Sequence, residues 1–274
     1  MPFAERQDAR LYYEVHGEGS PLLLIMGVGG NIRWWGSGFV RRLSQKHAVI
    51  AFDNRGAGQS EADPAKPWTI EQMADDARAV LDAAGVERAH VLGYSMGGMI
   101  AQELALRHPA AVTSLVLGAT GCGGAQMVQP DEVKREMRSR PASVAERAEW
   151  YMRLFFPEAF RAKNEAYLQS AFRLLLRADM PEDVYQAQLD AVDRWRGSWD
   201  RLPSLSCPAL VMHGLEDRVL PYINGERLAY RIPGARLKLY AGCGHGFAMQ
   251  AGSAVIRDVL AFVDGEGGGA GREG

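Results

Sequence analysis

The stretch Ala89-His90-Val91-Leu92-Gly93-Tyr94-Ser95-Met96-Gly97-Gly98 changes character within a single turn. Ala89 to Gly93 is a short apolar run of the kind that forms a buried strand. From Met96 to His108 the residues Ile100, Leu104 and Ala105 share one helical face, and Pro109 stops the helix. Between the two lies G-x-S-x-G. In that setting the chain turns sharply with the serine at the apex, and the flanking glycines let strand and helix approach closely and relieve the crowding. The Ser95 hydroxyl then projects above the carboxyl ends of the strands, with the next backbone N–H pointing the same way. Glycine and serine also build plain loops. The position between a strand and a helix is what makes Ser95 a candidate nucleophile.

Outward from this turn the same alternation continues. Leu22–Met26, Ala48–Phe52, Leu115–Leu117, Ala209–Met212 and Leu237–Tyr240 read as further strands. Ile70–Ala84 and Ala254–Val263 read as helices, the first with Thr69 as N-cap and Gly85 as its stop. Apolar runs alternating with amphipathic stretches predict an α/β fold, a mostly parallel central sheet with helices on both faces. The rhythm breaks at 121–200, which opens with Gly121-Cys122-Gly123-Gly124 and has helical patterning without a convincing strand. This segment is rich in large side chains, Trp150, Tyr151, Phe155, Phe172, Tyr185 and Trp195 among them. It is expected to be a helical cap over one end of the sheet, most of its aromatics filling its own core and a minority facing a cavity. The expected organisation is a core of 1–120 and 201–264, the cap at 121–200, and a flexible tail, GEGGGAGREG, at 265–274.

The 274 residues are 47% hydrophobic and 23% charged, which argues against a mostly disordered chain. Lys+Arg 31 against Asp+Glu 33 leaves a net charge of -2. No basic excess draws the molecule to a polyanion, so nucleic acid is not an expected partner. Cys122, Cys207 and Cys243 are far apart and form no C-x-x-C pair, so neither a disulfide framework nor a zinc knuckle is expected. The start, MPFAERQDAR, is charged and lacks an apolar core, and the run Leu22 to Met26 is far short of a membrane span. The expected setting is soluble, reducing and cytoplasmic, without a membrane partner; an assembly of several copies stays open.

A serine hydroxyl needs a base beside it at neutral pH. Of the six histidines, His90 lies within a strand and His108 at a helix end, where a cation suits the helix dipole. His16 and His47 sit at strand edges without special surroundings, and His213 ends a strand, where it shapes the next turn. His245 differs: Gly242-Cys243-Gly244-His245-Gly246-Phe247 links the last strand to the last helix, and its glycines free the loop to aim the imidazole at the serine. The base in turn needs a carboxylate to fix its tautomer. Asp217, in His213-Gly214-Leu215-Glu216-Asp217, is chosen over Glu216, although at this point Glu216 could serve. An oxyanion needs preorganised donors. Met96 N–H is one, and Val28 N–H, in the glycine turn Met26-Gly27-Val28-Gly29-Gly30, is the second. That turn is not a dinucleotide fingerprint, since position 32 is Ile32, and no Gly-Lys-Ser/Thr follows to make a P-loop.

Together these residues resemble the α/β-hydrolase superfamily, over about residues 10 to 120 and 203 to 264 and in the chain order Ser95, Asp217, His245 that this fold uses. Phe52-Asp53-Asn54-Arg55-Gly56-Ala57-Gly58-Gln59-Ser60 resembles the family's D-x-R-G-x-G-x-S loop, whose part is chiefly structural, with Arg55 tying the loop down. The pattern is similar to serine esterases, 3-oxoadipate enol-lactonases and aclacinomycin-type methylesterases. Haloalkane dehalogenases and epoxide hydrolases carry aspartate where this chain has Ser95. Many members have His-Gly before the oxyanion residue; here Met26-Gly27 stands there, which weakens the likeness to lipases and C–C hydrolases.

The resemblance implies hydrolysis of a largely apolar small-molecule ester or lactone through an acyl-enzyme, without metal or other cofactor. The rivals are a specific enol-lactonase, whose anionic substrate calls for a cationic anchor among cap arginines such as Arg138, Arg153, Arg173 and Arg177, and a cofactor-free perhydrolase or haloperoxidase. A small-ligand receptor with little turnover represents a different class.

Overall fold

A computed structural model of the chain describes residues 2–178 and 180–265. All but the first residue of the expected tail lies outside them. The elements begin with β1 (Phe3–Arg6), β2 (Ala9–His16), β3 (Ser20–Ile25), α1 (Ser37–Leu43), β4 (His47–Phe52) and β5 (Glu61–Ala62). They continue with α2 (Ile70–Ala83), β6 (Ala89–Tyr94), α3 (Met96–Arg107) and β7 (Val112–Gly118). Four helices follow without a strand among the described residues: α4 (Asp131–Arg138), α5 (Val144–Phe155), α6 (Glu158–Leu175) and α7 (Glu182–Arg194). The chain then returns through β8 (Ala209–Gly214), α8 (Ile223–Arg231), β9 (Arg236–Tyr240), α9 (Phe247–Gln250) and α10 (Gly252–Val263).

The strands form one sheet in the order β1-β2-β4-β3-β6-β7-β8-β9, with β5 paired to β2. From β4 to β9 every pairing is parallel; β1, β2 and β5 make antiparallel pairs at one side. Within the parallel part β4, β3, β6, β7 and β8 are covered on both faces, as their near-continuous apolar runs require, while β9 at the edge is mostly exposed. Side chains alternate between the faces with period two. Leu23, Ile25, Ile50 and Phe52 join the core beneath α2 and α3, while Leu22, Leu24, Val49 and Ala51 join the core beneath α1 and α10. Thr69 caps α2, its side chain accepting from Gln72 N–H, and the chain turns away at Gly85 with φ +70.

The antiparallel strands β1 and β2 and the helices α1 and α8 were not among the expected elements. β2 alternates buried Ala9, Leu11 and Tyr13 with more exposed neighbours, a half-buried strand rather than a continuous apolar run. His47 also departs from expectation. It is buried, with Nδ1 2.8 Å from Ser20 Oγ and Nε2 3.1 Å from Asp264 Oδ1, and so ties β3 and the end of α10 to the amino edge of the sheet.

The 53–60 loop is held by charge. The Arg55 side chain has no exposed surface; it donates to Asp76 Oδ2 at 2.5 Å and Oδ1 at 2.9 Å, and to Asp8 Oδ2 at 2.9 Å. Burial lifts the Asp76 carboxyl above its ordinary range, and Arg55 opposes that rise. Removing one partner of such a pair leaves the other charge buried and uncompensated. Arg55→Ala is expected to lower unfolding stability by about 3–5 kcal/mol, read from urea denaturation.

Candidate active site

All the strands from β4 to β9 run in one direction, so the loops after β3, β6, β8 and β9 emerge at one edge of the sheet. These loops carry Val28, Ser95, Asp217 and His245 respectively.

Ser95 sits at φ 56 and ψ -121, a conformation L residues rarely adopt and one that costs about 1–3 kcal/mol. It persists because its surroundings hold it on both sides. Ser95 N–H donates to Gly118 O at 2.9 Å, and the Ser95 carbonyl accepts from Gly98 N–H at 2.9 Å and Thr120 Oγ1 at 2.7 Å. At Gly97 a Cβ would lie 2.0 Å from Ile25 O, so only glycine lets α3 press this close to β3. Gly27 is as constrained: a Cβ there would lie 2.8 Å from Ser95 Cβ. The glycine turn after β3 therefore packs directly against the serine, with Val28 and Met96 both on the walls around it.

His245 is 3% exposed, and its Nδ1 lies 2.8 Å from Asp217 Oδ2. With a carboxylate there, Nδ1 carries the proton and Nε2 is left as an acceptor. Asp217 is itself buried, and its other oxygen, Oδ1, accepts from Val219 N–H at 2.8 Å and Leu220 N–H at 2.9 Å. Burial pushes this carboxyl upward, but the charge of His245 and hydrogen bonds from His213 and His245 outweigh it and hold the pKa down, at about 2. Glu216, the alternative acid, is exposed.

Two contributors escaped sequence reading. His213 does shape the turn, its Nε2 2.7 Å from Leu220 O, and the same atom lies 3.2 Å from Asp217 Oδ2. Both neighbours are acceptors, so Nε2 carries the proton and braces the acid from behind. Tyr94, the residue before Ser95, donates its hydroxyl to the His245 backbone carbonyl, which links the serine turn to the histidine loop. The histidine after a strand is visible in the sequence; Tyr94 occupies a position that the G-x-S-x-G pattern leaves free.

Two cavities meet at Ser95. One is walled by Trp34, Tyr94, Trp150, Tyr151, Phe155 and His245. The other runs past Met96, Met99, Met137, Leu189 and Val192 towards Lys134. Of the aromatics in 121–200, Trp150, Tyr151, Phe155 and Tyr185 face the first cavity, while Phe172 and Trp195 are buried in the hydrophobic core. Arg153, Arg173 and Arg177 are exposed. Arg138 lines the second cavity but is engaged by Asp190 at 2.7 Å and Asp193 at 2.5 Å. The remaining histidines have other partners: His90 Nδ1 meets Ser114 Oγ, His108 Nε2 meets Asp75, and His16 Nε2 meets Glu14. Among the described residues no group of three or more His, Cys, Asp or Glu side chains is arranged to hold a metal ion, and no helix is long and apolar enough to cross a membrane.

Residues 20–251 match the family described as alpha/beta hydrolase fold. The chain belongs to the α/β hydrolase family. It is 34% identical over 268 residues, 95% of each chain, to a protein of Azorhizobium caulinodans named as carbamate hydrolase RutD. Among solved structures it is similar to the enol-lactonase of Burkholderia xenovorans LB400, with TM-score 0.83 and 26% identity over 96% of this chain and 100% of that one. It is also similar to a thermophilic esterase from Thermogutta terrifontis, with TM-score 0.81 and 26% identity over 94% of each. As a member of the α/β hydrolase family the chain has the expected fold, with the parallel sheet placing the three side chains along one edge.

The depressed Asp217 pKa has a consequence for stability. A carboxyl whose pKa is lower folded than unfolded stabilises the fold above its unfolded value, near 4, and that contribution fades as pH falls towards 2. The gap in Tm between the parent and Asp217→Asn is expected to be flat from pH 5 to 4 and to shrink below. A constant gap from pH 5 to 2 in thermal melts would contradict a carboxylate held charged.

Proposed function

We propose that the protein is a serine hydrolase that cleaves a carboxylic ester or lactone through an acyl-enzyme, with Ser95, His245 and Asp217 as its catalytic triad. The observation that carries this reading is the 2.8 Å bond between His245 Nδ1 and the buried Asp217, with His245 and Ser95 on the wall of one apolar cavity. Family membership and hydrolase-named relatives support the hydrolytic class.

Ser95 Oγ attacks the carbonyl carbon as His245 Nε2 takes the hydroxyl proton, and Asp217 stabilises the imidazolium through Nδ1–H. Val28 and Met96 N–H groups receive the negative charge that develops on the carbonyl oxygen. The C–O bond breaks, and the leaving alkoxide takes the proton back from Nε2. Water then attacks the acyl carbon with its proton passing to Nε2; the Ser95 bond breaks, and Oγ recovers that proton as the acid departs. Because His245 must reach the leaving oxygen, the alcohol side lies in the aromatic cavity that His245 walls. The acyl side follows Met99 and Leu189. Both walls suit apolar groups.

A second reading, hydrolysis of a carbamate, is favoured by the 34% identity along 95% of each chain with the protein named as a carbamate hydrolase. The same attack would produce a carbamoyl-enzyme. Turnover of p-nitrophenyl butyrate, a p-nitrophenyl carbamate and a lactone by the purified protein separates the readings by kcat/KM. Ester turnover is expected to dominate and to fall at least about 10³-fold in Ser95→Ala and in His245→Ala. Asp217→Asn is expected to be severely impaired and Glu216→Gln close to the parent. Binding of these compounds without turnover, or turnover that survives Ser95→Ala, would overturn the reading.

A further inference from the structure

The turn that carries Val28 is held from two directions. From the core, Asn54 Nδ2 donates to Met26 O at 2.8 Å and Asp53 Oδ1 accepts from Ile32 N–H at 2.8 Å, which secures both ends of the turn. Its middle is held from the other side. Gly29 N–H donates to Gln188 Oε1 at 3.0 Å, a buried bond across 159 positions of sequence. Gln188 stands on α7 and has no exposed surface; its other amide atom, Nε2, points to Arg55 O at 3.5 Å. Gly29 itself is at φ +77, and a Cβ on it would lie 2.7 Å from the Tyr151 hydroxyl and 3.2 Å from the Tyr185 ring. Helices α5 and α7 thus press on Gly29, which has no side chain to hold them off.

A fully buried glutamine in a helix that otherwise faces apolar surface has to find partners for both ends of its amide. Gln188 finds them on the Val28 turn and on the 53–60 loop that secures it. The consequence concerns the neighbouring peptide. With Gly29 N–H committed to Gln188, it is withdrawn from the cavity, and the peptide plane between Val28 and Gly29 is fixed. That plane shares the Val28 α-carbon with the plane that bears Val28 N–H, so its anchoring restricts where Val28 N–H can aim.

We propose that Gln188 is a positioning residue, which holds the Val28 turn in the geometry that receives the oxyanion and so makes that geometry depend on α7 being seated. The proposal rests on the serine-hydrolase reading and adds a residue to it. Donors of this kind act on the tetrahedral state far more than on the bound substrate. Loss of the Gln188 amide should therefore weaken a tetrahedral adduct selectively.

The test compares two ligands of the whole chain: an alkyl boronic acid, which forms a tetrahedral adduct on the serine, and butyrate, which binds without attack. In Gln188→Met, which keeps the length of the side chain without its polar atoms, boronate affinity is expected to fall about 10- to 100-fold, with butyrate affinity within about 3-fold of the parent. Gln188→Ala should give the same split and serves if the methionine variant fails to fold. Gln186→Leu is the control. It removes bonds to the Arg138 side chain and carbonyl on α4 and to Glu182 on α7 without touching the turn, and should leave the ratio of the two affinities unchanged. Equal losses of both ligands in the Gln188 variants, no loss of either, or the same selective loss in Gln186→Leu would overturn the proposal. Failure of the parent to bind boronate at Ser95 would instead remove the hydrolase reading beneath it.

Discussion

A carboxylate removed from water survives as a charge only when its oxygens are met by donors, and Asp217 satisfies that condition with no exposed side-chain surface. Two backbone N–H groups take Oδ1, and His245 and His213 both face Oδ2. The arrangement has one chemical meaning for His245: Nδ1 holds the proton and Nε2 is left as an acceptor. Backbone bonds from Leu215 N–H to Tyr240 O and from Glu216 N–H to Cys243 O join the same two loops. The sheet brings them side by side because β8 and β9 pair in parallel, so their carboxyl ends lie together.

The remaining parts of the site are held to the same frame. Ser95 is kept in its strained conformation by Gly118 and Thr120, and Tyr94 reaches from the serine turn to the histidine loop. The turn at Val28 is secured by Asn54 and Asp53, whose own loop is locked by the buried Arg55 pair. Site geometry and fold stability thus share residues, and the aromatic walls from 121–200 complete the cavity over them.

What could be read from the sequence follows from how each feature is encoded. The strands at the middle of the sheet are apolar on both faces and stand out as runs, and the serine turn lies where strand gives way to helix. β2 alternates instead, with Ala9, Leu11 and Tyr13 inward, and a short half-buried strand of that kind is easily taken for loop. α8 presents only Leu228 as a fully buried large apolar residue among its nine positions, too little for a stripe. Asp217 could be set against Glu216 only by burial, which spacing does not encode. His47 and Gln188 were out of reach for one shared reason: each is a polar side chain buried through partners tens to hundreds of residues away. Periodicity assigns such residues to the solvent by default.

In the proposed mechanism Ser95 is the nucleophile and His245 activates it. Rapid acid quench of the protein with p-nitrophenyl butyrate, followed by peptide mass mapping, tests it most directly. The expected result is a butyryl group on the peptide carrying Ser95, formed within the first turnover and absent in His245→Ala. Steady turnover with no acyl adduct on Ser95, or an adduct that forms as fast without His245, would contradict it.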